Sequence, residues 1–339
     1  MAIRTIVSVP VLMIVAVVLG AGVLCVAYGV FVEHHWYRVR RYRLDILPAD
    51  APAPLSVVHV SDLHLLRRHS KLREFLASLP RADVAIATGD LVGEPEAVET
   101  AVEALRPLRG RLASLFVLGS NDYYVPKPLN YLRYFRRRRS GKRRLILRGR
   151  AQDLVAGLEA DGWLHLKNVH GSLDLEGLEV EVVGLDDPHI HLADLRVAPR
   201  GKPERFGLAV AHSPDPAPEL AAMGWDLVVS GHTHGGQVRL PLVGALVTNS
   251  HVPRRFASGM VRIGETYLHT SPGLGTSKYA PFRFLCRPEA TVLELRPRKM
   301  EHPGPVRAAE GAGSRRAQLA GPSARAATLP AGRSPADGT

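Results

Sequence analysis

The octapeptide Ser230-Gly231-His232-Thr233-His234-Gly235-Gly236-Gln237 begins at the end of a short apolar run, Leu227 to Ser230. Such a run is typical of a buried β-strand. Two histidines around one residue, with three glycines beside them, are uncommon in a loop that only turns the chain. Imidazole nitrogens suit divalent transition metals, and glycines let the backbone turn sharply beside them. The octapeptide therefore predicts a metal-binding loop at a strand end.

Four other apolar runs end in residues of the same kind. They lead into Asp62 and His64, into Asp90, into Gly119-Ser120-Asn121-Asp122, and into His212. Ligands of open α/β sheets bind at the carboxyl ends of strands. One such motif alone is more often a structural turn or a buried histidine, but five strand ends that each supply Asp, Asn or His predict a shared metal cluster.

The chain between the motifs reads as strands alternating with helices and then as strands in quick succession. This order predicts an α/β fold with mixed sheets. The expected strands are residues 55–60, 84–88, 115–118, 180–184, 208–211, 227–230, 260–263 and 267–270, and the expected helices are 71–79 and 95–105.

The order of the motifs, D-x-H, G-D, an Asn loop, His and G-H-x-H, resembles the calcineurin-like metallophosphoesterase superfamily over residues 55 to about 297. The closing stretch 271–277, with Pro281, Arg283, Pro288 and Glu289, is similar to a bacterial, membrane-associated branch. This resemblance implies a four-layer αββα sandwich of two mixed β-sheets. It also implies hydrolysis of a phosphodiester or phosphomonoester.

The resemblance further implies two divalent metal ions (Mn, Fe or Zn) and a metal-bridging hydroxide that attacks phosphorus. Transferred position by position, one ion is held by Asp62, His64 and His234. Asp90 bridges both ions, and the second ion is held by Asn121, His212 and His232.

One motif departs from the family pattern, in which Gly-Asn-His is followed by an acidic residue. An ungapped alignment places Ser120 at the ligand Asn and Asn121 at the proton-donating His, whereas a one-residue slip keeps Asn121 as the ligand and places Asp122 at that His. We favour Asn121 as the ligand, because a serine hydroxyl is a poorer ligand for a divalent ion. The usual acid is missing in either alignment, so the enzyme either prefers substrates with good leaving groups or uses Asp122 or another acid, His69, His189 or His251.

Residues 6–32 contain no charged side chain and are long enough to cross a bilayer as a helix. Trp36, Tyr37 and four arginines follow, which favours a retained single-pass anchor in the cell membrane over a cleaved signal peptide, with a cytoplasmic catalytic domain. We expect the short N-terminal end 1–5 before the anchor, a basic, Pro-rich linker over 33–54, the catalytic domain over 55–297 and a disordered tail over 298–339.

The net charge of +12 is concentrated locally, because residues 133–150 carry ten basic side chains and no acidic one. This segment is either a solvated loop or a contact for anionic lipid, and in the second case a lipid-derived phosphoester is a suitable substrate. Nucleic acid is a poor candidate partner, since the rest of the domain is mildly acidic and lacks an aromatic stacking platform. A membrane-tethered metal-binding protein without turnover is the alternative function, and the oligomeric state stays open.

Overall fold

The computed structural model describes residues 9–126 and 149–299. Its strands are β1 (Arg38–Leu47), β2 (Leu55–Val60), β3 (Val84–Thr88), β4 (Ala113–Val117), β5 (Leu164–His165), β6 (Val169–Leu175), β7 (Leu178–Leu185), β8 (Phe206–Ala211), β9 (Leu227–Ser230), β10 (Arg239–Leu240), β11 (Gly244–Ala245), β12 (Gly259–Ile263), β13 (Thr266–Thr270) and β14 (Glu289–Pro297). Its α-helices are α1 (Val9–Ala27), α2 (Ser70–Ala77), α3 (Val98–Leu105), α4 (Ser120–Tyr123), α5 (Ala151–Ala160) and α6 (Ala217–Ala222). The predicted elements are all present, with shifts of one to three residues at several ends.

Two six-stranded mixed sheets form the centre of the described chain. The first has the order β1-β14-β2-β3-β4-β5 and the second the order β12-β13-β9-β8-β7-β6. In the first sheet β2 to β5 are parallel, and in the second β13, β9, β8 and β7 are parallel. The predicted mixed α/β architecture is therefore confirmed.

The burial pattern of the strands explains the layers. Side chains alternate between the two faces of a strand, so that Val57 packs in the core between the sheets while Val58 packs under helices. Leu72 of α2, Leu105 of α3 and Leu158 of α5 belong to that outer cluster. Leu220 of α6 packs on the outer face of the second sheet. The result is the expected αββα sandwich.

The segment predicted as a linker contains a strand, and this prediction was wrong for Arg38–Leu47. Strand β1 pairs in parallel with β14, and its Leu44 is buried between the sheets. Arg38 and Arg40 point to the Glu289 carboxylate, with Nε–Oε2 distances of 2.7 and 2.9 Å. Three arginines of the predicted basic linker, Arg38, Arg40 and Arg43, are ion-paired side chains of an edge strand.

Helix α1 is followed by one π-helical turn, Tyr28–Val32, and one 3₁₀ turn, Glu33–His35. By length and composition, Pro10–His35 is able to cross a membrane. This finding agrees with the predicted anchor, although a signal sequence would meet the same criteria. Residues 1–8, 127–148 and 300–339 lie outside the described part of the chain, and with them almost all of the basic segment and of the predicted tail.

The chain after α1 is bonded to the loop that precedes β14. The buried Glu33 carboxylate accepts hydrogen bonds from the backbone N–H groups of Leu285 and Cys286, at 2.8 and 2.5 Å. The N–H of Arg283 donates to the Gly29 carbonyl at 3.2 Å. The apolar helix is thus fixed to the sandwich without a flexible connection.

Candidate metal centre

The predicted ligands follow strands of both sheets at their carboxyl ends. Asp62 and His64 follow β2, Asp90 follows β3, and Asn121 lies in α4 after β4. In the second sheet, His212 follows β8, and His232 and His234 follow β9. Because parallel neighbours end at the same edge of a sheet, and the two sheets face each other, the structure brings these seven residues together.

One group of candidate ligands consists of Asp62, His64, Asp90 and His234. Ligand atoms of these four side chains lie within 4.8 Å of one another. The Nε2 atoms of His64 and His234 are 3.1 Å apart, and each lies 3.6 Å from a carboxylate oxygen, of Asp90 and of Asp62 respectively. Two carboxylates and two imidazoles that converge in this way fit a divalent cation.

The protonation state of the two imidazoles supports the fit. His64 Nδ1 and His234 Nδ1 have no hydrogen-bond partner among the described residues. Burial lowers the pKa of His64 to about 4, and it lowers the pKa of His234 as well, so both imidazoles are neutral near pH 7. Neutral rings with facing Nε2 atoms offer lone pairs that a cation can use.

His212 and His232 form a second cluster on the other side of Asp90. His212 Nε2 lies 3.2 Å from His232 Nδ1 and 3.6 Å from the Asp90 carboxylate. His212 Nδ1 donates to the Thr88 carbonyl at 2.6 Å, and His232 Nε2 donates to the Asn249 carbonyl at 3.2 Å. A carbonyl can only accept, so these bonds fix the protonated nitrogen of each ring and leave the other nitrogen for a ligand bond.

Backbone conformation marks the same residues. Five of the candidate ligands have positive φ angles, namely Asp62 (49°), His64 (41°), Asp90 (52°), His232 (69°) and His234 (49°). This left-handed region costs a non-glycine residue about 1–3 kcal/mol and is found most often at functional sites. The surrounding fold therefore holds the ligand loops in conformations that local energetics alone would disfavour.

Glycines at two positions allow the loops to approach each other. A Cβ atom at Gly231 would collide with Ser61 and Asp62, and one at Gly119 would collide with Asp90 and His212. Neither glycine has a left-handed φ, so the requirement is close approach and not conformation. The glycine of the G-H-x-H motif is thus needed where the loops after β2 and β9 meet.

Asn121 contacts the Asp90 carboxylate directly. Its backbone N–H donates to Asp90 Oδ1 at 2.8 Å, and its side-chain amide lies 2.5 Å from Asp90 Oδ2. The structure therefore places the side chain of Asn121 beside the candidate ligands.

Asp122 has a different position from the one that we predicted. Its side chain is fully buried, and its carboxylate accepts hydrogen bonds from the N–H groups of Leu91, Val92 and Gly119 at 2.8, 3.1 and 2.9 Å. A carboxylate with both oxygens bonded to the backbone braces the loops after β3 and β4. The structure thus contradicts the expectation that Asp122 occupies the place of the missing proton-donating histidine.

Opposite pKa shifts occur among the acidic groups. Burial raises the pKa of Asp62 to about 7, whereas His212 and His64 overcome burial at Asp90 and lower its pKa. Burial disfavours a charged His212, but the carboxylates of Asp90, Asp187 and Asp62 raise its pKa to about 9. Without a cation, the site thus keeps protons near neutral pH that metal binding would displace.

The three histidines considered as alternative acids lie in different places. The ring of His189 lies 4.3 Å from that of His232, measured between centroids. His69 precedes α2, and the exposed His251 lies 3.7 Å from the Asp215 carboxylate. Of these three, the structure brings His189 into contact with a candidate ligand.

Asp187 is a residue that the motif search missed. It follows β7, and its buried Oδ2 atom has no hydrogen-bond partner among the described residues, while Oδ1 accepts from the His189 N–H at 2.7 Å. Burial raises its pKa to about 6. The rule of acidic residues at strand ends applied to Asp186-Asp187 as well, and would have found this side chain.

The αββα sandwich and the ligand cluster are the features expected of a metallophosphoesterase. A model of the family described as calcineurin-like phosphoesterase matches residues 55–236, and the chain belongs to that family. Membership indicates a hydrolase that uses divalent metal.

Relatives from bacteria and animals agree with this assignment. The chain is 26% identical to the uncharacterized metallophosphoesterase YkuE of Bacillus subtilis, over 71% of this chain and 78% of YkuE. It is 27% identical to the phosphodiesterase YaeI of Escherichia coli, over 79% and 92% of the respective chains. It is also 30% identical, over 71% of its length, to a transmembrane protein with metallophosphoesterase domain from Bos taurus, of which it covers 53%.

Proposed function

We propose that this protein is a membrane-anchored, two-metal phosphoesterase that hydrolyses a phosphodiester or phosphomonoester. The observation that carries the proposal is the convergence of Asp62, His64, Asp90 and His234 next to the His212–His232 pair. The name of the relative YaeI, a phosphodiesterase, supports the same reaction class.

Asp90 lies between the two clusters, which supports its role as the shared ligand. One of its oxygens lies 3.6 Å from His64 and the other 3.6 Å from His212. The first ion would be held by Asp62, His64 and His234, and the second by His212, His232 and Asn121. When bound there, divalent ions would supply Lewis acidity to the phosphoryl group and an activated water for its hydrolysis.

The chain itself contributes orientation and hydrogen bonds. The carbonyls of Thr88 and Asn249 hold the rings of His212 and His232 in one orientation. We assign the donor to the leaving oxygen to His189, because its ring lies against His232 at the edge of the cluster. Asp187 accepts a hydrogen bond from the backbone of His189 and so positions that loop.

The membrane part of the proposal is a single-pass helix in the cell membrane, with the catalytic domain on the cytoplasmic side. The arginines after the helix favour this orientation, and the helix is able to span a bilayer. A domain that is fixed to such a helix would act on a phosphoester at the membrane, and we propose a lipid-derived substrate.

The test uses the full-length chain in detergent, stripped of metal and then resupplied with Mn, Fe or Zn. Hydrolysis of bis-p-nitrophenyl phosphate and p-nitrophenyl phosphate is measured for the wild type and for Asp90→Ala and His232→Ala. The exposed His251 provides a matched control, His251→Ala. We expect metal-dependent turnover that both ligand variants lose and the control keeps. No turnover in folded, metal-loaded protein would favour a binding protein without catalysis.

A further inference from the structure

A small hairpin beside the metal centre exposes an apolar surface. Strands β10 and β11 pair antiparallel, with Arg239 opposite Ala245 and Leu240 opposite Gly244. Five large apolar side chains of the hairpin are exposed: Leu240, Leu242, Val243, Leu246 and Val247. Exposed apolar residues that cluster in this way, unlike single ones, usually mark a surface that contacts a partner or a membrane.

The tip of this hairpin holds an exposed leucine in an uncommon backbone conformation. Leu242 is fully exposed, at 109% of its reference accessible area, and Val243 follows at 58%. Leu242 also has a φ angle of 65°, a left-handed conformation that is uncommon for a bulky side chain. Exposure of this leucine to water is unfavourable, and transfer of its side chain into hydrocarbon would remove that cost.

The hairpin is structurally continuous with the end of the apolar helix. Val238 forms a parallel bridge with Phe284, and the Arg239 N–H donates to the Phe284 carbonyl at 2.9 Å. The ring of Phe284 lies edge-on to the ring of Tyr28, with centroids 6.3 Å apart. One aromatic residue thus contacts both the hairpin and the last turns of the helix.

Charge and position also fit a lipid surface. The 3₁₀ turn Arg254–Phe256 packs on β11, and Arg254 and Arg255 are exposed there. Basic side chains next to an apolar tip suit the interface between anionic headgroups and acyl chains. At its base the hairpin meets the ligand loop, because a Cβ atom on Gly236 would collide with Ala245.

We propose that the hairpin 239–247 inserts its apolar tip into the bilayer that the helix spans and is a second membrane contact of this protein. The occupant of the apolar surface is lipid, and Arg254 and Arg255 contact its headgroups. This contact sets the side of the sandwich that carries the metal centre against the membrane surface. It rests on the proposed membrane anchor and does not depend on turnover.

The experiment places a fluorescent NBD label at the tip of the full-length protein in vesicles of phosphatidylcholine and phosphatidylglycerol. Leu242→Cys is labelled in a Cys25→Ala background, since Cys286 is buried and Cys25 is exposed. The matched control is Glu204→Cys, an exposed position before β8, at the sheet end opposite the ligand loops. Both labelled proteins are compared by thermal unfolding to ensure that they are folded.

We expect the emission at position 242 to shift to shorter wavelength, to be quenched by doxyl-labelled lipids and to be protected from aqueous iodide. The control label should show the reverse. Val243→Cys must give the same result as Leu242→Cys, which excludes an effect of one substitution. Quenching by iodide and not by doxyl lipid at position 242 would overturn the proposal. Protection from both quenchers would also overturn it, because a protein would then cover the hairpin.

Discussion

His64 and His234 place their Nε2 atoms 3.1 Å apart, although 170 positions separate them in the chain. Two neutral imidazoles at this distance can share at most one proton, and neither buried Nδ1 atom has a hydrogen-bond partner in the described part of the chain. The contact is therefore poorly satisfied by the protein alone. A cation that accepts the lone pairs of both Nε2 atoms would satisfy this contact.

Removal of one of these imidazole rings should abolish the binding of one of the two proposed ions and spare the other. In His64→Ala we expect about half of the bound metal to be lost and turnover to fall at least ~100-fold, since even groups behind the ligands are worth about 10- to 100-fold. Metal analysis and p-nitrophenyl ester hydrolysis measure both effects. His251→Ala should keep the wild-type values, and full metal content in His64→Ala would contradict the ligand assignment.

The stability of the metal-free protein should fall as the pH rises from 7.5 to 9. Carboxylates overcome the effect of burial and raise the pKa of His212 from 6.5 to about 9, and burial raises the pKa of Asp62 and of Asp122 to about 7. The folded state then binds more protons than the unfolded state, and this advantage disappears as pH passes these values.

Thermal unfolding in chelator, across that pH range, measures the effect. The low pKa values of buried histidines such as His64 and His232 act in the opposite direction, but only below about pH 7.5, where free imidazole gains a proton. Manganese should reduce the dependence, because it replaces the protons. A midpoint that rises between pH 7.5 and 9 in the absence of metal would refute the prediction.

Replacement of Asp122 should affect folding more than chemistry. Asp122→Ala leaves the buried N–H groups of Leu91, Val92 and Gly119 without their acceptor, and each such loss costs about 1–3 kcal/mol. We expect a large fall in the free energy of unfolding, measured by denaturant titration, together with loss of metal. A variant of unchanged stability that fails to turn over would instead return Asp122 to a direct role in catalysis.

Replacement of His189 should depend on the leaving group. If His189 donates to the leaving oxygen, His189→Gln should slow hydrolysis of an alkyl or phenyl ester by about 100- to 10,000-fold and affect p-nitrophenyl esters much less. Rates along a series of leaving groups measure this difference. His251→Gln is the control, since the side chain of His251 is exposed. Equal losses for all leaving groups would assign His189 to positioning.

The connection to the helix should contribute to stability. Glu33→Ala removes the buried acceptor of two backbone N–H groups, at Leu285 and Cys286, and should lower the free energy of unfolding by about 1–3 kcal/mol. The control is Glu265→Ala, in the exposed turn between β12 and β13. Urea titration measures the free energy of unfolding of both variants. Equal values would mean that the contact between the helix end and the sandwich does not contribute to stability.

The ligand cluster could be predicted from sequence because two local signals coincide. Apolar strands such as β2 and β9 are recognisable from composition, and the residues at their ends are of ligand type. Because neighbouring parallel strands end at the same edge of a sheet, the residues at those ends lie close together. The same reasoning applied to Asp187, but a pair of acidic residues after a strand is a weaker signal than two histidines.

Other parts depend on partners that are distant in sequence. Strand β1 could not be recognised, because its arginines are neutralised by Glu289 and Glu294, about 250 positions later. The role of Asp122 is set by backbone donors in the preceding loop, and a motif does not reveal which atoms a carboxylate will meet. Glu33 looked like a residue of a linker for the same reason.

The bonds of Glu33 and Gly29 to the loop before β14 have a mechanical consequence. A domain on a long, flexible linker can move through a volume of solution, whereas these bonds restrict the rotation and tilt of this domain relative to the helix. If the helix spans a bilayer, the metal centre stays at a constant height above it and explores only the plane in which the helix diffuses. Encounter with substrate then becomes a two-dimensional search, and the depth at which a phosphoester sits decides whether it can be reached.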